Sequence, residues 1–310
     1  MTALLLDPVF KEHAPGPGHP ECPERYDAVT STLSTLTDLP RIAPRHATTD
    51  EIALCHSRPY IARAEREIHD GFEELSTGDT HVSLRSYDVA VQAVGGVLNA
   101  VDAVMERKYA NAFCAVRPPG HHATPNRGMG FCVFNNVAIA ARYAQQKFGV
   151  ERVMIADWDV HHGNGTQDIF YEDGSVYFFS THQSPWYPGT GAHSERGAGK
   201  GEGRTLNLPL PSGSGRAEIL GGFHEQLKRE AEAFRPDLVL ISAGFDSRLG
   251  DPLGQFRLTD QDFRDLTSVM MEIAETHAGG RLVSLLEGGY SLTGLAAGVS
   301  AHVQTLAGLA

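Results

Sequence analysis

Asp157-Trp158-Asp159-Val160-His161-His162-Gly163-Asn164 sets two carboxylates and two imidazoles directly after an apolar run, Arg152-Val153-Met154-Ile155-Ala156. A β-branched, apolar run of this kind reads as an interior strand of a parallel sheet, and alternate residues at its end point the same way. Asp159 and His161 can therefore converge on one atom, and a hard oxygen beside an imidazole nitrogen is half a zinc site. A plain polar turn is the weaker reading, because buried carboxylates without partners are costly. Asp237-Leu238-Val239-Leu240-Ile241-Ser242-Ala243-Gly244-Phe245-Asp246 repeats the pattern and offers Asp246 as a third ligand. Three protein ligands and an open fourth position describe a catalytic zinc, whereas a structural zinc is closed by four ligands, mostly cysteines. Cys22, Cys55, Cys114 and Cys132 are scattered, form no Cys-x-x-Cys pair and read as reduced thiols.

Two further strand ends carry groups suited to proton transfer. Ala112-Phe113-Cys114-Ala115-Val116 runs into Arg117-Pro118-Pro119-Gly120-His121-His122-Ala123, where the prolines and glycine stop the strand and hold a tandem histidine pair at its tip. A lone histidine is usually structural; two behind a rigid turn read as a general base and its electrostatic companion. Arg281-Leu282-Val283-Ser284-Leu285-Leu286 ends in Glu287-Gly288-Gly289-Tyr290, whose glycines let Tyr290 turn its hydroxyl towards the same crevice.

The elements that must position these groups alternate between apolar strands and helical patterns, which indicates a three-layer αβα fold around a mostly parallel sheet. Helices are expected over 86–108, 136–148, 217–234, 259–277 and 291–309, with Thr259 as an N-cap. Ligands of open parallel sheets bind beyond the carboxyl ends of the strands, where all four motif groups fall. Ala3-Leu4-Leu5-Leu6, closed by Asp7-Pro8, is too short for a signal peptide or membrane span and reads as the first strand. The glycine-rich stretch 197–203 lacks the Gly-Lys-Ser/Thr ending of a phosphate loop and precedes a strand over 204–210, so it reads as a mobile surface loop. Because the active-site pieces span the length of the 310 residues, one domain over 1–310 is expected. A net charge of -12 without a Lys/Arg run argues against nucleic-acid binding; it suits cationic substrates and equally suits plain solubility. The expected compartment is the cytoplasm, without membrane attachment.

With these groups in view, the chain resembles the histone deacetylase family of zinc-dependent amidohydrolases, which includes acetylpolyamine deacetylases. The resemblance rests on His19-Pro20-Glu21-Cys22-Pro23-Glu24-Arg25, residues 117–123, Gly130-Phe131-Cys132-Val133-Phe134-Asn135-Asn136, residues 157–167, Pro188-Gly189-Thr190-Gly191, residues 242–246 and residues 287–290. Asn164, where class I members carry Asp, resembles the class II branch. The resemblance implies an arginase/deacetylase-like fold, with Asp159, His161 and Asp246 holding zinc. It implies tandem catalytic histidines His121 and His122, backed by Asp157 and Asn164, and Tyr290 as the residue polarising the amide carbonyl. A neutral amide behind His122 would leave that ring neutral and able to accept a proton near pH 7. Phe131 and Tyr187 match the walls of an acyl-lysine tunnel, with Gly130, Leu253, Asp79 and Arg25 as further substrate-binding positions. A structural potassium held by Asp157, by Asp159 and His161 and by Ser180 and Thr181 is also implied. The implied reaction is hydrolysis of an acyl amide, from an acyl-lysine protein or a small acylated amine, to a carboxylate and a free amine.

Rival functions separate on particular residues. A binuclear arginase-like enzyme needs additional carboxylates for a second metal, but Ser247 and Arg248 follow Asp246. A non-catalytic acyl-lysine reader would not need His121, His122 and Tyr290 together. An acetylpolyamine deacetylase is expected to carry an acid near the tunnel mouth, where Leu253 stands instead; Asp79, Glu21 and Glu24 are the candidate rim acids, each more simply read as a solvated surface residue. Acyl-lysine is therefore the favoured substrate class, with acetylpolyamine as the alternative.

Overall fold

A computed structural model describes residues 1–36 and 38–309. Its frame is a seven-stranded sheet in the order β1-β2-β7-β6-β3-β4-β5, with every pairing parallel. The strands are β1 (Thr2–Leu5), β2 (Asn111–Cys114), β3 (Val153–Asp157), β4 (Val176–Gln183), β5 (Thr205–Leu210), β6 (Leu238–Ala243) and β7 (Leu282–Leu286). Their apolar character is continuous rather than alternating because both faces are covered. Val153 and Ile155 of β3 and Leu238 and Leu240 of β6 enter the core on one face, while Met154, Ala156, Val239 and Ile241 enter the core on the other. Helices Arg58–His69, Ser86–Met105 and Asn136–Phe148 close the first face; Glu24–Leu33, the segment 216–234, Asp260–Ala278 and Leu292–Leu306 close the second. This is the αβα sandwich expected from the strand and helix pattern.

The Thr259 N-cap is where the sequence puts it. The Thr259 N–H and hydroxyl both donate to Asp262 Oδ2, at 2.7 and 2.8 Å, and Gly149, in the left-handed region at φ 68°, ends Asn136–Phe148. The helix expected over 217–234 is interrupted by a π-helical turn, Gly222–Leu227, which sets Phe223 against Phe179 and Trp158. The 197–203 stretch is held in place: a 3-10 turn at Gly199–Gly201 buries Gly201, and the Ala198 N–H donates to the Tyr171 carbonyl at 2.8 Å. Ser86–Met105 is long and apolar enough to cross a membrane by length and composition, with 72% of its most apolar window buried inside the fold.

The amino-terminal segment is fastened to the strand ends by a buried ion cluster. Glu21 accepts from Arg25 Nη1 at 2.8 Å and from Arg117 Nε and Nη2 at 2.6 and 2.8 Å, all three side chains fully buried. Glu21 is therefore no rim acid. Burial alone would raise its pKa, but the Arg117 charge, with His13 and Arg25, holds the carboxyl well below the ordinary 4.5. The stabilisation is thus complete above about pH 4.5 and is lost as pH falls towards the folded-state value. Glu21→Gln leaves two buried guanidinium groups short of a counter-charge and is expected to cost about 3–5 kcal/mol. Thermal melts followed from about pH 5 downwards into the acid range should fall more steeply for the wild type than for the variant; parallel slopes would remove Glu21 as the source of the acid sensitivity.

Candidate active site

The carboxyl ends of β3, β6 and β7, neighbours in the sheet, and of β2 beside β7 deliver the chemistry-bearing groups to one place. Asp159, His161 and Asp246 are buried, and one ligand atom from each lies within 4.8 Å of the others. His161 Nδ1 is 3.0 Å from Asp159 Oδ1 and 3.2 Å from Asp246 Oδ2. Backbone amides fix the carboxylates: Gly288 N–H donates to Asp159 Oδ2 at 2.8 Å, and Val160 N–H to Asp246 Oδ1 at 2.9 Å. Gly288 must be glycine, since a Cβ there would stand 2.1 Å from Asp246 Oδ2.

Without a cation this trio is electrostatically strained. Burial and then repulsion from Asp159 push Asp246 up to about 7. Burial would lower the pKa of His161, but hydrogen bonds to Asp159 and Asp246 outweigh it and raise the ring to about 10. Two carboxylates competing for one imidazole proton are the donor set that a divalent cation satisfies by displacing that proton. The cluster therefore fits a metal ion, as the strand-end pattern anticipates.

The histidine pair is differentiated by its partners. His121 Nδ1–H donates to Asp157 Oδ2 at 2.9 Å, and His122 Nδ1–H donates to the amide oxygen of Asn164 at 2.8 Å. Burial opposes charge on both rings. Asp157 and Asp159 overcome that penalty at His121 and hold it well above the ordinary value; at His122 burial is reinforced by His121 and His161, so the ring is well below it and neutral. Their backbone is clamped by Glu287, whose Oε2 accepts from the N–H groups of Gly120 at 2.7 Å and His121 at 3.2 Å. Glu287 marks the strand end in the sequence reading but receives no role there; the clamp is long-range and leaves no local signal.

A cavity of about 240 Å³ leads down to these groups. His122, His161 and Tyr290 form its floor, Gly130, Phe131 and Tyr187 its walls, and Asp79, Trp186 and Leu253 its mouth. The Tyr187 ring stands edge-on to His122 at 5.2 Å, and Phe131 stands edge-on to Tyr290 at 6.0 Å between ring centres. Gly130, at φ 57°, lets the wall close on His122: a Cβ there would lie 2.3 Å from its ring. Burial and the Asp246 carboxylate push the Tyr290 phenol well above its ordinary pKa, so it is a protonated donor.

The expected rim residues divide. Asp79 is exposed, as read, yet it belongs to the mouth, accepting from Gly130 N–H at 2.7 Å and from the Tyr187 hydroxyl at 3.3 Å. Glu24 is exposed and does not line the cavity. Arg25 is corrected from substrate binding to support: it is fully buried, donates to the carbonyls of Gly289 at 2.7 Å and Glu287 at 2.6 Å, and lies 5.1 Å over the Tyr290 ring. Trp186, absent from the sequence reading, joins the mouth by donating from Nε1 to the Leu253 carbonyl at 2.9 Å.

A family model described as histone deacetylase domain matches residues 19–306. The chain belongs to the histone deacetylase family. It is 42% identical over 305 residues to "Histone deacetylase 10, chloroplastic" of Oryza sativa subsp. japonica, covering 91% of this chain and 68% of that protein. It is also 41% identical over 308 residues to "Polyamine deacetylase HDAC10" of Mus musculus, covering 93% of this chain and 45% of that protein. Among solved structures, an HDA15 HD domain superposes with a TM-score of 0.94 at 35% identity, covering 99% of this chain and 90% of that one.

Of the residues read as potassium ligands in this histone deacetylase family member, Asp159 and His161 belong to the Asp/His/Asp cluster itself. Asp157 and Ser180 are register partners on β3 and β4. Asp157 Oδ1 accepts from Asp159 N–H at 3.0 Å, the Ser180 hydroxyl lies 2.9 Å from His182 Nδ1, and Thr181 Oγ1 is buried without a hydrogen-bond partner.

Proposed function

We propose that this deacetylase, acting as one catalytic domain over 1–310, hydrolyses the acyl amide of N-acetyl-lysine or a related acyl-lysine with the help of one zinc ion held by Asp159, His161 and Asp246. The observation that carries the reading is the narrow cavity walled by Phe131 and Tyr187, which ends on a neutral His122, a protonated Tyr290 and the Asp/His/Asp cluster. Zinc, when bound, supplies Lewis acidity towards the acyl carbonyl and makes a water in its open position more acidic.

The chain's own residues do the rest. Phe131 and Tyr187 flank the apolar lysine stem and exclude water from it. Tyr290 O–H donates to the carbonyl oxygen, most strongly as negative charge develops there. His122, neutral and oriented by Asn164, accepts the proton of the attacking water at Nε2. That proton is returned to the leaving nitrogen by the histidine pair, with charge on His121 balanced by Asp157. Water is consumed, and a carboxylate and a free amine are released. Potassium at Asp157, the carbonyls of Asp159 and His161, Ser180 and Thr181 is part of the proposal, as is a cytoplasmic setting, which the four free cysteines suit.

Acetylpolyamines are the second reading, favoured by Asp79 at the mouth and by the likeness to the mouse polyamine deacetylase. Against it, Asp79 is the one acid at the mouth among the described residues and its Oδ1 is held by Gly130 and Tyr187, while the other mouth residues, Leu253 and Trp186, do not carry negative charge. Burying a cationic chain beside apolar groups is penalised. Acetyl-lysine peptides should therefore exceed acetylpolyamines in kcat/KM, and Leu253→Glu should shift the ratio towards polyamines. A wild-type preference for acetylpolyamines of tenfold, about 1.4 kcal/mol of transition-state discrimination, would sink the favoured substrate class.

A further inference from the structure

The loop that follows Asp246 carries a buried carboxylate with no part in the chemistry described so far. Asp251 is 8% exposed, and both of its oxygens are occupied. Oδ2 accepts from the backbone N–H groups of Tyr290 at 2.7 Å and Ser291 at 3.0 Å, while Oδ1 accepts from the N–H of Leu253 at 2.9 Å. The Leu253 carbonyl in turn receives the indole N–H of Trp186 at 2.9 Å. One side chain thus joins two parts of the cavity that are remote in sequence: the mouth, formed by Leu253 and Trp186, and the Tyr290 turn at its floor.

We propose that Asp251 is a positioning residue that sets the Tyr290 hydroxyl against the substrate carbonyl and locks the Leu253 mouth to that setting. The inference rests on the reading of Tyr290 as the carbonyl donor and deepens it. The turn that carries Tyr290 is built to need such a hold. It follows Gly288 and Gly289, the latter at φ 122°, so its own backbone restrains the tyrosine weakly. Arg25 secures only the carbonyl side, through Glu287 and Gly289. Asp251 secures the N–H side from the opposite loop. Because Tyr290 and Ser291 present adjacent N–H groups to one oxygen, that carboxylate fixes both the direction of the turn and the N-cap of helix Leu292–Leu306, where Ser291 accepts from Gly294 N–H at 3.3 Å. A displaced hydroxyl donor costs rate rather than affinity, since its bond to the carbonyl oxygen strengthens only in the transition state.

The test is a double-mutant cycle in steady-state kinetics on an acetyl-lysine peptide, with bound zinc quantified for each protein. The set is wild type, Asp251→Ala, Asp251→Asn, Tyr290→Phe and the two combinations. Asp251→Ala should lower kcat about tenfold or more, since misplacement on the order of 1 Å can cost about 100-fold, with KM and zinc content near wild type. Asp251→Asn keeps the shape but can accept through one oxygen alone, so it should fall between the two. In the Tyr290→Phe background neither change should lower kcat further, because the group being positioned is gone. A loss of equal factor in both backgrounds, or a change confined to KM, would overturn the clamp while leaving the role of Tyr290 intact. An undiminished kcat in Tyr290→Phe alone would strike the underlying reading and the clamp with it. Should Asp251→Ala fail to fold, the isosteric Asp251→Asn carries the same comparison.

Discussion

Tyr290→Phe is expected to lower kcat about 100-fold or more while zinc binding is retained. The phenol lies at the cavity floor with His161 of the Asp/His/Asp cluster and, pushed well up in pKa by burial and by Asp246, keeps its proton throughout the neutral range. Its removal deletes one donor to the developing oxyanion and leaves the walls, the histidine pair and the Asp/His/Asp cluster in place. The ring contacts with Phe131 and Arg25 survive, because phenylalanine keeps the same aromatic face. KM should therefore move little. Steady-state kinetics on an acetyl-lysine peptide, read beside metal analysis of the same preparation, checks both halves. An unchanged kcat would mean that the metal alone polarises the carbonyl, and Tyr290 would then be only part of the floor.

The site was more legible in the sequence than the frame around it, and the reason is physical. Asp159, His161, Asp246, His121 and His122 each follow an apolar strand, so polar groups stand out where burial penalises them; a parallel sheet then brings these ends together. The pairing of His122 with Asn164, which only the family resemblance implied, is present at 2.8 Å. By contrast, strand β4 and helices Glu24–Leu33, Arg58–His69 and Asn164–Phe170 were not read as elements. Arg58–His69 did carry a signal, since Ser57 caps it and Pro59 lies in its first turn, but its charged outer face, including Arg58, Arg63, Glu65 and Arg66, masks the apolar one. What the sequence could not reveal are the contacts that depend on loops meeting across the top of the sheet. Glu21 reads as a surface or rim acid and Arg25 as a substrate-binding residue because their partners Arg117, Glu287 and Gly289 are about a hundred or more positions away. Trp186 and Asp251 were hidden for the same reason: a Trp beside a Tyr and an Asp before a Pro have no meaning until Leu253 is placed between them.

Asp246→Ala is expected to remove the metal, and with it nearly all activity, because it takes away one of three ligands supplied by a cluster with no spare donor among the described residues. Loss of an outer partner typically costs about 10–100-fold in metal affinity, so loss of a direct ligand should exceed ~100-fold. The variant should nevertheless fold. Asp246 is pushed up to about 7 by burial and by Asp159, so in the metal-free chain its removal relieves repulsion from Asp159, which offsets the loss of its pairing with His161. The cost is confined to two hydrogen bonds, those that Asp246 accepts at Oδ1 from Val160 N–H and at Oδ2 from His161 Nδ1. Two measurements therefore move in opposite directions: dialysed Asp246→Ala should hold little zinc, and its melting temperature should approach that of wild type stripped by a chelator rather than fall far below it. Adding zinc should raise the melting temperature of the stripped wild type, since a ligand that binds only the folded state stabilises it, and should leave that of the variant unchanged. Full zinc retention by Asp246→Ala with undiminished turnover would remove Asp246 from the metal site.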